Sequence, residues 1–151
     1  MSACTFFGHR DCPSVSKSKL REILIDLIEN HNVDMFYVGH QGAFDTLVRG
    51  VLQELSKNYP QMQYAVVLAY MPSENSDSAD YSDTTLPEGI ELVHPRYAIS
   101  WRNNWMLQKS DFIVAYVNHS WGGAAQYVQK AVRSGRAVIN LHDLQQGGHV
   151  K

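Results

Sequence analysis

The sequence predicts a single α/β domain in which an open, mostly parallel sheet carries helices on both faces. Three observations predict it. Short apolar runs alternate with longer segments of helical period, the order expected of βαβ units. Runs such as Tyr64 to Ala69, "YAVVLA", are apolar throughout, as strands covered on both faces are. Glycine turns follow several of these runs directly. A length of 151 residues with 44% hydrophobic residues suits one core, and one domain over residues 1–144 is expected.

The elements follow in order. Cys4 to Phe7 reads as the first strand and ends at Gly8. Leu20, Ile23, Leu24, Leu27 and Ile28 share one helix face. Met35 to Val38 is a buried strand ending at Gly39. Phe44, Leu47, Val48, Val51, Leu52 and Leu55 mark a second amphipathic helix that stops near Tyr59-Pro60. Tyr64 to Ala69 is the third strand. Residues 71–95 then break the rhythm, with six acidic residues and no Lys or Arg. A connection of that length is functional or mobile, and Ile90 to Val93 reads as a short strand within it. Helix resumes from Tyr97 to Lys109, strand from Phe112 to Val117, and helix from Gly123 to Arg133, which stops at Ser134-Gly135. Ala137 to Asn140 is the last strand, and residues 145–151 read as a flexible tail.

Composition excludes several classes. A formal net charge of −2 with 19% charged residues and no basic stripe argues against a nucleic-acid partner. No apolar stretch approaches the roughly 20 residues of a membrane span, and no basic-then-apolar leader opens the chain. A cytoplasmic protein without a membrane partner is expected. Cys4 reads as a buried strand residue and Cys12 as a loop thiol, not as a disulfide framework. The seven histidines are scattered. His9, Asp11 and Cys12 crowd together without a fourth partner, so no metal and no cofactor are expected.

The turns carry the functional signal. In a parallel sheet, ligands bind outside the carboxyl ends of the strands. Three glycine turns fall there: "GHRD" after the first strand, "GHQGAFD" after the second, and "NHSWGGAAQ" after the penultimate one. Glycine admits close backbone approach and positive φ, and a helix start offers free N–H groups and a positive dipole end to an anion. Phosphate is therefore the expected ligand group, with His40, Asn118, His119 and Ser120 as further hydrogen-bonding candidates. A single such turn is ordinary in any α/β fold; three on one sheet edge favour a site. None matches G-x-G-x-x-G or the P-loop. His9-Arg10-Asp11 repeats the kinase tripeptide, but no glycine-rich loop with its lysine and no Asp-Phe-Gly accompanies it. It reads as a ligand-edge turn.

The helix "YAISWRNNWMLQK" holds Trp101 and Trp105 one turn apart, which suits core packing. Arg102 beside them has two open readings. It holds a phosphate bidentately, or it is a solvated arginine whose stem runs past tryptophan.

The stretch "RNNWMLQKSDFIVAYVNHSWGGAAQYVQ" resembles the signature region of the LOG phosphoribohydrolases, the lysine decarboxylase-like proteins. Arg102-Asn103, Met106, Ser110-Asp111 and Gly122-Gly123 keep its spacing, while "TFFGHR" and "GHQGAFD" resemble turns of related members. The resemblance is to an uncharacterised bacterial and phage branch of the SLOG superfamily. It implies a Rossmann-like fold, a nucleotide or nucleotide-derived ligand and a homo-oligomer. The implied ligand residues are Gly8, His9, Arg10, Gly39, Gln41, Gly42, Asp45, Arg102, His119, Ser120, Trp121, Gly122 and Gly123. Trp121 or Tyr97 would stack on the base or ribose, and Asp45 would bind a ribose hydroxyl. The LOG proline is Trp121 here, Gly-Thr is Ala125-Gln126, and the catalytic glutamate falls on Gln129. A neutral amide neither takes a proton nor balances an oxocarbenium charge. The expectation is therefore a binding module that senses or sequesters a nucleotide. A nucleotide N-glycosidase with Arg102 catalytic, and with Asp45 or an acid of residues 74–91 in place of the glutamate, is the alternative. An interaction protein with a vestigial pocket is the third reading.

Overall fold

The computed structural model describes residues 2–9, 15–40, 42–70 and 82–147. Its central strand, β1 (Ser2–Gly8), pairs with β2 (Val33–Val38) on one side and β5 (Phe112–Tyr116) on the other. Beyond β2 lie β3 (Gln63–Val67) and the two-residue β4 (Thr84–Thr85), and beyond β5 lies β6 (Ala137–Asn140). The order is β4-β3-β2-β1-β5-β6, and every pairing is parallel. The expected α/β sheet is present, and it is parallel across all its strands.

Side-chain alternation along each strand divides the core between two faces. On one face Cys4, Phe6, Phe36, Val38 and Val114 meet α1 (Lys17–Asn30), α2 (Gly42–Asn58) and Leu141 of α5 (Leu141–Gly147). The apolar rows Leu20, Leu24, Leu27 and Phe44, Val48, Leu52 supply the helix side. On the other face Phe7, Val67 and Ile113 meet Met106 and Leu107 of α3 (Ala98–Lys109) and Ala131 of α4 (Gly123–Arg133). Neighbours in sequence thus serve opposite cores: Phe6 stacks near Phe36, and Phe7 on Tyr127 at 5.1 Å. Each fully buried side chain of this size contributes about 1.5–3 kcal/mol by transfer. Ser16 caps α1, its hydroxyl accepting from the Lys19 N–H at 3.2 Å. Among the described residues no helix is long and apolar enough to cross a membrane.

One reading of the acidic connection is corrected. Ile90 to Val93 is not a strand; Ile90–Leu92 forms a 3₁₀ turn that starts from Gly89 at φ +90°. Its Ile90 packs against Ala69 and Ala98 as a plug, a burial a strand would not require. The strand of this region is β4, earlier in the chain. It is held by Asp83, whose carboxylate accepts from Arg49 Nε and Nη2 at 2.9 and 2.6 Å and from the Tyr64 hydroxyl at 3.0 Å. Backbone bonds Val66 N–H to Asp83 O and Leu68 N–H to Thr85 O complete the edge. A second 3₁₀ turn, Pro95–Tyr97, precedes α3, which begins at Ala98. At the C-terminal end, α5 carries helical backbone through 145–147, residues the sequence assigned to a tail; 148–151 lie outside the described residues.

The approach of α2 to β1 depends on Gly8. A Cβ added there would overlap the ring of Phe44, which is itself fully buried. Gly8→Ala is expected to destabilise the domain by about 1–3 kcal/mol, the cost of overpacking a dense core. Denaturant unfolding reads this as a lower midpoint at unchanged slope.

Candidate functional site

Strand order reverses between β1 and β5. At such a switch point the connections leave in opposite directions and open a crevice at the carboxyl ends of the strands. The crevice here has a volume of about 670 Å³, within the usual range for ligand sites. Gly8 and His9 bound it from β1, the 118–124 turn from β5, and Asp45 of α2 with Arg102 and Met106 of α3 from below.

Arg102 forms the floor. It is only 2% exposed. Its Nη1 donates to the Val67 carbonyl at 3.0 Å and its Nε to Asn103 Oδ1 at 2.8 Å. Burial lowers the guanidinium pKa, and the Asp45 carboxylate opposes that shift by favouring the charge. Gly39 lies against both: a Cβ there would fall 2.9 Å from Asp45 Oδ2 and 3.1 Å from Arg102 Nη1. The glycine ending β2 therefore leaves room for the Asp45–Arg102 pair. Of the two readings of Arg102, solvation at the surface is ruled out. Two of its donors are already engaged by protein groups.

The opposite wall is a column of rings. His9 and His119 stack at 3.6 Å between centroids, and His119 and Trp121 at 3.8 Å, with interplanar angles of 15° and 17°. The His9 N–H donates to the Tyr116 carbonyl, and its Nε2 accepts from the Asn118 N–H at 3.2 Å. An imidazole that accepts at Nε2 is neutral, with its proton on Nδ1. Burial first, then the His119 and His142 charges, lower the His9 pKa from its ordinary value. Nδ1 of His119 is shielded from solvent and has no hydrogen-bond partner among the described residues. Trp121 closes the column at the rim, 68% exposed.

Between these walls α4 begins. Its N-cap, Gly122, has φ +94° and ψ 168°, a region essentially reserved for glycine. No side chain of the described residues caps the helix, and Gly123 and Ala124 of its first turn line the crevice. The conformational need for glycine thus falls on Gly122. At Gly123 φ is ordinary and a Cβ would meet nothing within 4 Å.

Of the sequence-derived residues, Gly8, His9, Asp45, Arg102, His119, Trp121, Gly122 and Gly123 line one crevice. Gly39 sits behind Asp45 and Arg102. Gly42, at φ +88°, opens α2. Ser120 is exposed on the same turn as Trp121, and its carbonyl accepts from Gln129 Nε2 at 3.4 Å. Neither Gln129 nor Tyr97 lines the crevice; Tyr97 is 58% exposed beside His94 and Arg96. Arg10 and Gln41 lie outside the described residues, as do Asp11 and Cys12. Among the described residues no group of three metal-ligating side chains converges. The ring column escaped the sequence, although each histidine follows closely on a strand, and neighbouring strand ends were the signal that could have joined them.

His9 gives the site a pH dependence of stability. Its folded pKa lies below the unfolded value, so the unfolded chain binds more protons between the two. Stability is complete above about pH 6.5 and falls as pH drops toward the folded pKa. Urea unfolding from pH 8 to pH 5 should show that loss. His9→Gln, whose side-chain oxygen still accepts from Asn118, should weaken the dependence.

No family model matches this sequence, and no curated protein matches it. Among solved structures, the X-ray structure of DNA processing protein A (DprA) from Streptococcus pneumoniae is similar, with a TM-score of 0.53 and 13% sequence identity. The similarity covers 99% of this chain and 62% of that one, so this chain spans less than two thirds of the DprA chain. At that identity the likeness establishes the architecture, and the chain has a Rossmann-like fold.

Proposed function

We propose that the crevice binds a nucleotide or nucleotide-derived small molecule, and that this SLOG-type domain senses or sequesters it. The observation that carries the reading is the uncapped N-terminus of α4, opened by Gly122 and facing the crevice. Free N–H groups and the positive helix end there suit a phosphate. The Asp45 carboxylate suits a ribose hydroxyl and repels a phosphate from its own end. Trp121, exposed at the rim, offers a ring on which a base stacks. From the end of β2 to the end of β5 is two strand spacings, about 10 Å, which matches a nucleoside phosphate lying across the switch point. Arg102 acts from the floor, holding the end of β3 through Val67, while the Asp45 carboxylate favours its charge. The SLOG resemblance adds a homo-oligomer, which light scattering on the purified chain checks.

One observation favours an enzyme instead. Asp45 brings a carboxylate into the crevice, and an N-glycosidase needs one there to balance an oxocarbenium charge. Against it, Gln129 carries no charge and lies outside the crevice lining. A nucleic-acid partner rests on different ground. DNA processing protein A is named for DNA processing, whereas a net charge of −2 weakens any attraction to a phosphate backbone.

A thermal-shift screen separates these readings. It runs mononucleotides, cyclic nucleotides, dinucleotides, ADP-ribose derivatives and a single-stranded oligonucleotide. A small ligand at 100 times its dissociation constant stabilises the fold by about 2.7 kcal/mol, a melting shift of roughly 5–10 °C at this size. We expect such a shift with a small nucleotide, no base or ribose phosphate released overnight on HPLC, and loss of the shift in Gly122→Val. Base release that requires Asp45 would make the chain an enzyme. A shift with the oligonucleotide alone would make it a nucleic-acid binder.

A further inference from the structure

We propose that Asn140, the last residue of β6, is a positioning residue of the crevice: its side chain fixes the turn that carries His119 and Trp121 and ties that turn to α5. The proposal deepens the nucleotide reading, since it names what holds the ring-bearing wall of that site. Its test reads the turn without a ligand.

The ladder between β5 and β6 ends at the pair Ala115 and Asn140. Beyond it β6 has no residue left to pair, because α5 begins at Leu141. The Asn140 side chain takes over. Its Nδ2 donates to the Val117 carbonyl at 2.9 Å, and its Oδ1 accepts from the Val117 N–H at 3.1 Å. A primary amide carries a donor and an acceptor side by side, so it meets both polar groups of one residue as a neighbouring strand would. Val117 is thereby held in line with β5 although the sheet has ended. Its backbone groups gain partners that a half-buried position otherwise lacks. Asn140 does this from behind the site, since it is not part of the crevice lining.

Val117 in turn sets the direction of the residues that follow. On the β1 side, the Tyr116 carbonyl accepts from the His9 N–H, and the Asn118 N–H donates to His9 Nε2 at 3.2 Å. Between them, both polar groups of Val117 point the other way, to Asn140. Residues 116–118 are therefore gripped from β1 and from β6 in alternation, and His119 follows directly. The stack of His119 on His9, and of Trp121 on His119, starts from this grip.

Oδ1 of Asn140 serves a second donor. It accepts from the His142 N–H at 3.2 Å in the first turn of α5, as an N-cap side chain does. The His142 ring packs edge to face on Tyr116 at 5.7 Å. The start of α5 and the ring-bearing turn thus share one anchor atom, and losing it loosens both.

Two variants separate the anchor from the cap. Serine caps a helix about as well as asparagine, but its single short hydroxyl cannot span both groups of Val117. Asn140→Ser therefore keeps the start of α5 and frees the turn, whereas Asn140→Ala gives up both. Amide exchange and histidine ring resonances are followed by NMR on the ligand-free chain, with exchange along β2 as the control for the fold. In Asn140→Ser we expect the Val117 and Asn118 amides to exchange about tenfold faster or more, the scale of one or two lost hydrogen bonds, with the His142 amide unchanged. His9 titrates among Tyr116 of β5, His119 of the turn and His142 of α5, with Asp45 of α2 and Arg102 of α3 lining the same crevice. Burial is the first cause that holds its pKa low, so in the freed turn its titration should rise toward the ordinary value of about 6.5. In Asn140→Ala the His142 amide should exchange faster as well. Unchanged Val117 and Asn118 amides with an unchanged His9 in Asn140→Ser would overturn the proposal and leave Asn140 a helix cap. A His9 change confined to Asn140→Ala would overturn it too, because the effect would then run through α5. The mononucleotides and dinucleotides of the thermal-shift screen supply the last arm: one that stabilises the natural chain should lose its melting shift in Asn140→Ser. If the turn is freed in Asn140→Ser and no nucleotide shifts the natural chain, the positioning role stands and the nucleotide reading fails. If a nucleotide shifts both chains equally, the nucleotide reading stands and the positioning role fails.

Discussion

Phe44 occupies the space that a side chain at position 8 would need. This contact seats the first turn of α2 against the end of β1, and the rest of the crevice is built from it. Asp45, the next residue, is thereby placed on the floor, beside Gly39 at the end of β2 and close enough to Arg102 to favour its charge. Arg102 in turn ties α3 to the last residue of β3. Two glycines that end adjacent strands thus set how closely two helices approach the sheet. A Cβ at Gly8 would overlap the Phe44 ring, and one at Gly39 would press on the ends of the Asp45 and Arg102 side chains.

The crevice that results has unlike ends. One end holds a carboxylate near a buried arginine, two of whose donors meet protein acceptors. The other offers the start of α4, which no side chain of the described residues caps. A molecule with a hydroxyl-bearing sugar at one end and an anion at the other fits this polarity in one direction only. Burying Arg102 is costly unless its hydrogen bonds are met, and Val67 and Asn103 meet two of them. In the proposed reading the phosphate sits at the helix end, where backbone groups are already oriented and little reorganisation is needed.

The strands were legible because burial on both faces writes itself as continuous apolar runs: β1, β2, β3, β5 and β6 all carry them. The glycine turns were legible because they follow those runs directly. β4 was not, since Thr84-Thr85 has no apolar pattern and is placed by the Arg49–Asp83 clamp, 34 residues apart in sequence. Ile90 misled because a buried apolar residue within a polar segment has the same local pattern in a strand as in a plug. Arg102 could not be resolved from its own stretch, because its surroundings come from β2, β3 and α2. The His9–His119 column joins residues that only the adjacency of β1 and β5 brings together. The glycine pair was recognised as a unit, but which member needs positive φ depends on the helix start.

The central claim is that the ligand lies across the β1–β5 switch point. Hydrogen–deuterium exchange tests it most directly, comparing the free chain with the chain saturated by whichever nucleotide stabilises it most. The account predicts slower exchange at the amides of His9 and of residues 118–125, with the far ends of the strands, around Asp34 and Asp111, unchanged. Protection concentrated at those far ends, or along the outer face of α4 around Gln126 and Lys130, would contradict it.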